Sequence, residues 1–221
     1  MSAQEADIAA VNAHRGHERD SEVTIIRPSK GWVPLNFREI WRYRELFYFL
    51  AWRDIKVRYK QTALGASWGL LQPFLMMIVF SIFFGRLASV PSDGVPYPIF
   101  SYSALIPWTY FAYALNHSSN SLVESANLIT KVYFPRLITP VASVIAGLVD
   151  FAIAFTIFIA MMLYYGVYPT LSVVFLPVFI VFAVAASLSV GLWLSAVNVE
   201  YRDVRYTIPF ITQLWLFVTP V

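Results

Sequence analysis

The chain lacks cysteine and contains few charged residues. With no cysteine among 221 residues, disulfides, thiolate metal sites and cysteine nucleophiles are excluded. Charged residues make up 13% of the chain, whereas ordinary soluble domains contain about 25%. Hydrophobic residues make up 58%, and the mean hydropathy is +0.62. A soluble domain of this size cannot bury so much apolar surface, so the composition excludes a soluble enzyme, a disordered chain and a free-standing nucleic-acid reader.

The uncharged residues form long runs that are typical of membrane spans. A spanning helix needs about 20 apolar residues. Four runs are long enough, at roughly 64–85, 97–116, 138–165 and 170–196, and a fifth over 206–221 stops with the chain. The sequence therefore predicts an all-α, polytopic helical membrane domain over 61–221. It contains four complete spans and an incomplete fifth.

The few basic residues predict the orientation of these spans. Eleven of the 16 Lys and Arg residues precede position 67. If the N-terminus is cytoplasmic, segments 1–63, 117–137 and 197–205 hold 15 of the 16, and the outer loops hold only Arg86. Because Lys and Arg accumulate in cytoplasmic loops, this bias predicts a cytoplasmic N-terminus.

The N-terminal region divides into two predicted parts. Residues 1–35 are polar and carry charges of both signs, which indicates a cytoplasmic tail. Residues 36–60 place aromatic side chains opposite basic ones, a pattern typical of an amphipathic helix in the membrane interface. A soluble helix packed on another subunit remains the alternative interpretation.

Polar and small residues within the runs suggest contacts between helices. Asp150 is the only charged residue between Leu137 and Gly166, and no basic residue stands at a matching depth. Such a carboxylate marks either a pathway through the membrane or a structural hydrogen bond, and both interpretations stay open. The pairs Ser143/Gly147 and Ser187/Gly191 have the spacing that lets two helices approach closely.

The sequence offers little for catalysis. No carboxylate pair, Ser/His/Asp arrangement, metal-ligand spacing or phosphate-binding loop stands out, so we expect neither an enzyme nor a bound cofactor. The aromatic residues of the second run either form an ordinary interface belt or line a conduit. The polar inner segments 124–136 and 198–206 are either docking surfaces for a soluble partner or plain connections.

Three stretches resemble the membrane subunit of type-2 ABC exporters, in the polysaccharide-export branch. They are RDIKVRYKQTALGASWGLLQPFL (53–75), LIPWTYF (105–111) leading into NSLVESANLITKVYFPRLITPV (120–141), and NVEYRDVRYTIPFITQLWLFVTPV (198–221). The resemblance extends from about residue 36 to the end of the chain.

This resemblance implies a half-transporter in a bacterial inner membrane. Two copies of the chain would form a conduit, and two separate ABC ATPase subunits would bind the ATP and Mg²⁺. The expected cargo is a glycan on a polyprenyl-diphosphate lipid, such as an O-antigen, a capsular polymer or a teichoic acid. Members of the family have six spans, so we expect this chain to be truncated at its C-terminus.

The resemblance and the patterns above assign four groups of candidate residues. An ATPase-coupling helix over about 127–134 includes Asn127, Leu128, Ile129, Lys131, Val132, Tyr133 and Phe134, followed by Arg136. An interfacial gate helix includes Trp41, Arg53, Asp54, Lys56, Arg58 and Tyr59. A second inner loop includes Asn198, Arg202 and Asp203. Candidate conduit-lining residues are Trp108, Tyr110, Tyr113 and Asp150.

Other functions remain as alternatives to polysaccharide export. The same scaffold could export a small hydrophobic molecule, and a non-transporting assembly subunit or a membrane-embedded transferase would share the composition. Co-purification with an ABC ATPase separates the exporters from the last two.

Overall fold

A computed structural model describes residues 37–60, 66–92, 94–201 and 203–219, with side chains over 40–60 and from residue 71 onward in these ranges. The predicted tail 1–35, the Leu-Gly segment 61–65 and Arg202 lie outside the described residues.

Every regular element in this part of the chain is a helix, which confirms the all-α part of the predicted fold class. The helices are α1 (Phe37–Arg42), α2 (Arg44–Lys60), α3 (Ala66–Phe80), α4 (Tyr97–Glu124), α5 (Ala126–Ile129), α6 (Ile138–Tyr165), α7 (Leu176–Glu200) and α8 (Val204–Val218). A π-helical segment, Ser81–Leu87, continues α3, and a 3₁₀ segment, Leu171–Phe175, leads into α7.

The third and fourth predicted spans correspond to long apolar helices. Helix α6 has the predicted bounds, and it ends where Gly166 adopts a left-handed conformation with φ of 67°. Its 28 residues extend about 42 Å at 1.5 Å per residue, which exceeds a hydrocarbon core of about 30 Å. Helix α6 and the helical stretch Leu171–Glu200 are both long and apolar enough to cross a membrane.

Helix α4 is longer than the second predicted span. The apolar run ends near residue 116, but the helix continues for two more turns to Glu124. The polar side chains of this extension, Ser118, Ser119, Asn120 and Ser121, are buried rather than solvated. The helix continues beyond the predicted span because these small polar residues pack against another helix.

Helix α4 lies at the centre of the bundle and contacts α3, α6, α7 and α8. The glycine of each predicted small-residue pair packs directly against this helix. Gly191 of α7 lies directly against Ser118, and a Cβ at Gly147 of α6 would lie 2.6 Å from Cδ1 of Tyr113. These contacts confirm that small residues allow close helix approach here.

The predicted N-terminal helix is interrupted and buries a different face. Tyr43 separates α1 from α2. The buried residues of α2 are Leu50 and Ala51, whereas Tyr48 and Trp52, predicted partly on the same apolar face, are exposed. The side chains of α2 that are buried are those that contact α6, and they are not the aromatic ones.

Helix α2 runs alongside the first half of α6. Leu50 shares an apolar cluster with Ile138 and Ala142, and further along both helices Arg58 meets Asp150. Eight residues of α2 extend about 12 Å, and the eight residues from Ala142 to Asp150 extend equally far. Helices that cross steeply would meet over only one or two turns, so these two lie side by side.

Candidate functional site

Asp150, in the first half of α6, is bound by the end of α2. Arg58 donates from Nη1 to one carboxylate oxygen, and the Tyr59 hydroxyl donates to the other. The sequence-based expectation that no basic residue matches the depth of Asp150 was wrong, because Arg58 comes from another helix.

Arg58 also contacts the central helix. Its guanidinium carbon lies 3.9 Å from the ring centre of Tyr113, a cation–π distance. The Tyr113 ring in turn lies 4.1 Å from the ring of His117. Arg58 is therefore held between a carboxylate of α6 and an aromatic face of α4, where three helices meet.

The remaining gate-helix candidates divide into an inward and an outward group. Asp54 accepts from Arg53 Nη2 at 2.8 Å and from Ser143 Oγ at 3.3 Å, so it faces α6. Trp41 and Lys56 are exposed. Asp54, Arg58 and Tyr59 therefore all bond to α6, Arg53 bonds to Asp54, and Trp41 and Lys56 face outward.

A cavity of about 720 Å³ lies beside this cluster. Helices α2, α3, α4, α6 and α8 all contribute to its wall. All four candidate conduit-lining residues are on that wall: Trp108, Tyr110, Tyr113 and Asp150. Sequence reasoning did not place the other polar members of the wall there, which are Arg58, Tyr59, Gln72, Thr109, Asn116, His117, Thr212 and Gln213.

A second cavity, of about 460 Å³, adjoins the first. Tyr110 and Phe151 line both cavities, with their rings 5.7 Å apart in an edge-on arrangement. The Tyr110 hydroxyl donates to the backbone carbonyl of Val144 at 3.4 Å. The rest of the second wall is almost entirely apolar and includes Phe155, Phe158 and Phe179. The first cavity therefore has a partly polar wall and the second an apolar one, and the rings of Tyr110 and Phe151 lie between them.

The inner loop between α4 and α6 is less helical than predicted. Helix α5 covers only Ala126–Ile129, and a turn follows it. Thr130 directs its hydroxyl to the carbonyl of Ala126, and Pro135 disfavours helical geometry at Phe134. The predicted helix over 127–134 therefore stops after its first turn.

This inner loop has a buried side and an exposed side. Phe134 is only 5% exposed and shares an apolar cluster with Leu50 and Ala51 of α2. Leu128 and Ile129 pack against the same cluster. The other candidates in the loop are exposed: Asn127, Lys131, Val132, Tyr133 and Arg136. One side of the loop therefore packs against α2, and the other side is exposed at the protein surface.

The second inner loop is a smaller feature than the sequence suggested. Asn198 belongs to α7 and is buried, where its amide donates to the Ser119 carbonyl at 3.0 Å and to Asn120 Oδ1 at 2.9 Å. Asp203 is exposed just before α8. Asn198 therefore joins α7 to α4 instead of lying in a loop.

One sequence signal could have identified the inward face of α2. Phe47, Leu50, Asp54 and Arg58 are spaced by three or four residues, so they form one stripe along the helix. The stripe changes from apolar to charged along its length, which a search for purely apolar stripes overlooks.

The larger cavity offers aromatic faces together with hydroxyl and amide groups. Such a wall can contact the apolar faces of a sugar or lipid and hydrogen-bond its hydroxyls. Among the described residues, no group of three or more His, Asp or Glu side chains is arranged to hold a metal ion.

Comparison with known proteins identifies relatives of the chain. Residues 45–221 match the ABC-2 type transporter family. The O-antigen export system permease protein RfbA of Myxococcus xanthus is 31% identical over 185 residues, which are 83% of this chain and 70% of that protein. A protein of the same name from Klebsiella pneumoniae is 28% identical over 170 residues, covering 76% and 65% of the two chains. The family match covers most of the sequence, so the chain belongs to the ABC-2 type transporter family, whose members are integral membrane proteins.

Proposed function

We propose that this chain is the membrane subunit of an ATP-driven exporter that moves a polysaccharide across a bacterial inner membrane. The family match over 45–221 carries the proposal, and the relatives named as O-antigen export permeases supply the cargo class. The chain spans 65–70% of the length of these relatives, so activity and cargo are inferred for the complete transporter.

The cargo we infer is a glycan attached to a polyprenyl-diphosphate lipid. The wall of the larger cavity supports this choice, because it combines Trp108, Tyr113 and several amide or hydroxyl side chains. An exporter of small hydrophobic molecules has less use for such hydrogen-bonding groups.

For the membrane arrangement, we propose that residues 61–221 contain the spans and that the N-terminal tail is cytoplasmic. The strong bias of Lys and Arg toward 1–63, 117–137 and 197–205 supports this orientation. Residues 36–60 then start at the headgroup level, with Trp41, Tyr48 and Trp52 exposed to lipid. The Arg58 end follows α6 toward the membrane interior.

For assembly, we propose two copies of this chain above two ABC ATPase subunits, which bind ATP and Mg²⁺. Large apolar side chains are exposed along α3, α7 and α8, including Phe83, Phe182 and Phe210. Such surfaces require lipid or another protein chain as a partner.

The ATPase is proposed to dock on the exposed side of the inner loop. Lys131, Val132 and Tyr133 project there, whereas Phe134 faces α2. Arg136 and, from the second inner loop, Asp203 are exposed, and we assign them to the edge of the docking surface. ATP binding closes the ATPase pair and displaces the inner loop, which changes access to the cavity.

Deletion of the gene in its own host tests the function. We expect surface polysaccharide to fall to background and its lipid-linked form to accumulate inside the cell, with recovery on complementation. An exporter of small molecules would leave surface polysaccharide unchanged. If the chain were only an assembly subunit, the partner ATPase would still hydrolyse ATP at its normal rate in the deletion strain.

The docking surface can be tested in the purified complex. Lys131→Glu combined with Tyr133→Ala should lower ATPase association at least tenfold without changing the yield of membrane protein. Arg86→Glu makes the same charge change on the opposite side and serves as the control. Equal association of both variants would contradict the assignment of this loop.

A further inference from the structure

We propose that α2 and the first half of α6 move as one arm, and that the Arg58–Asp150 ion pair fastens the cavity end of that arm. The arm carries the inner loop at one end and a wall of the larger cavity at the other. The inference rests on the proposed function, because it describes how ATPase motion reaches the cavity.

The loop end of the arm is an apolar joint. Leu50, which is 1% exposed, shares its cluster with Phe134 of the inner loop and with Ile138 at the start of α6. A displacement of the loop must therefore move α2 and α6 together or open this cluster to solvent. Opening is unfavourable because it exposes large apolar side chains.

The cavity end of the arm is a polar joint. Arg58 binds Asp150, Tyr59 binds the same carboxylate, and all three residues line the larger cavity. The side chains of Arg58 and Asp150 are 27% and 21% exposed, so separating them would leave a poorly hydrated charge on each helix. This end of α2 consequently follows α6.

The contact between the arm and the central helix is of a different kind. Arg58 lies over the ring face of Tyr113 of α4, and Gly147 packs closely against the same tyrosine. Val144 shares a buried cluster with Tyr110 and accepts a hydrogen bond from its hydroxyl. In the proposal, the arm keeps its ion pair and shifts along this surface of small side chains and aromatic rings, past Tyr113.

Two engineered disulfides distinguish this arm from independent helices, because the chain has no native cysteine. Leu50→Cys with Ala142→Cys links the two halves of the arm. Gly147→Cys with Tyr113→Cys links the arm to α4. Ala112→Cys, on the cavity wall, reports access to a polar maleimide with and without ATP in the complex with its ATPase.

We expect the arm-internal disulfide to preserve at least half of the ATP-dependent change in labelling. The disulfide to α4 should reduce that change at least fivefold, and a reductant should restore it. The opposite pattern, or an equal effect of both disulfides, would overturn the proposal that α2 and the first half of α6 move together relative to α4. If the parent Ala112→Cys complex shows no ATP-dependent change at all, the proposed function itself fails.

Charge variants test the ion pair. Arg58→Gln should reduce the ATP-dependent labelling change at least fivefold while ATPase binding stays within twofold, and exchanging the charges with Arg58→Asp and Asp150→Arg should recover part of it. A purely structural pair would instead lower protein yield and ATPase binding together. Unchanged labelling in Arg58→Gln would overturn the role of the pair.

Discussion

Arg58 at the end of α2 is paired with Asp150 of α6, 92 residues further along the chain. The same guanidinium covers the ring of Tyr113 from α4. One side chain thus connects the N-terminal helix to two helices of the bundle at the wall of its larger cavity. The predictions below examine this connection, the packing around it and the orientation of the chain.

Asp150→Asn should lower the free energy of unfolding by about 2 kcal/mol. This estimate lies between about 0–1 kcal/mol for surface ion pairs and about 3–5 kcal/mol for breaking buried ones, because both side chains are mostly but not fully buried. Denaturant unfolding of the detergent-solubilised protein provides the measurement. Asp203→Asn, at an exposed position, should change stability by less than about 0.5 kcal/mol; comparable losses in both variants would refute the pairing.

Gly191→Val should destabilise the contact between α4 and α7. A Cβ at this position would lie 2.9 Å from the Ser118 Cβ, so the helices must separate. We expect a loss of about 1–3 kcal/mol, typical of overpacked cores, and partial recovery on adding Ser118→Gly. Ala185→Val makes a similar addition on the exposed face of α7 and should be nearly neutral. Thermal unfolding that cannot distinguish the two valine variants would argue against this close contact.

The buried and exposed sides of the inner loop should separate stability from coupling. Phe134→Ala removes a side chain that is 5% exposed and should cost about 3 kcal/mol. Tyr133→Ala, at a position that is 55% exposed, should leave stability within about 0.5 kcal/mol but weaken ATPase association. Unfolding and association are measured on the same preparations. A stable Phe134→Ala protein would contradict the contact with α2.

Parts of the fold could be predicted from local sequence alone. The bounds of α6 are clear because an apolar run stands between polar segments and ends at a glycine. The continuation of α4 beyond the predicted span could not be read from hydropathy, because Ser118 and Asn120 are polar yet buried, and Asn198, which bonds to this segment, comes from α7. Hydropathy reports transfer to lipid and does not report contacts between polar faces of two helices.

The site was predictable to a similar extent. The four candidate lining residues came from spans that the structure places around one cavity, and their role as a conduit remains a prediction. The partner of Asp150 was missed because a hydropathy profile carries no information on which distant helix lies alongside. The stripe of Phe47, Leu50, Asp54 and Arg58 becomes informative only once α6 is known to be its neighbour.

The orientation can be tested with single cysteines in the naturally cysteine-free chain. Lys131→Cys should react with a membrane-impermeant maleimide only after the inner membrane is opened, because the inner loop is proposed to be cytoplasmic. Ser89→Cys, between the first two predicted spans, should react in intact spheroplasts. Reaction of Lys131→Cys in intact spheroplasts would reverse the topology.

The most direct test of polysaccharide export is transport in inverted inner-membrane vesicles that contain this permease in complex with its ABC ATPase. With ATP, externally added lipid-linked polysaccharide should become protected from glycosidase, and protection should disappear in the Lys131→Glu, Tyr133→Ala variant. Protection that is independent of ATP, or that persists without the permease, would contradict the account.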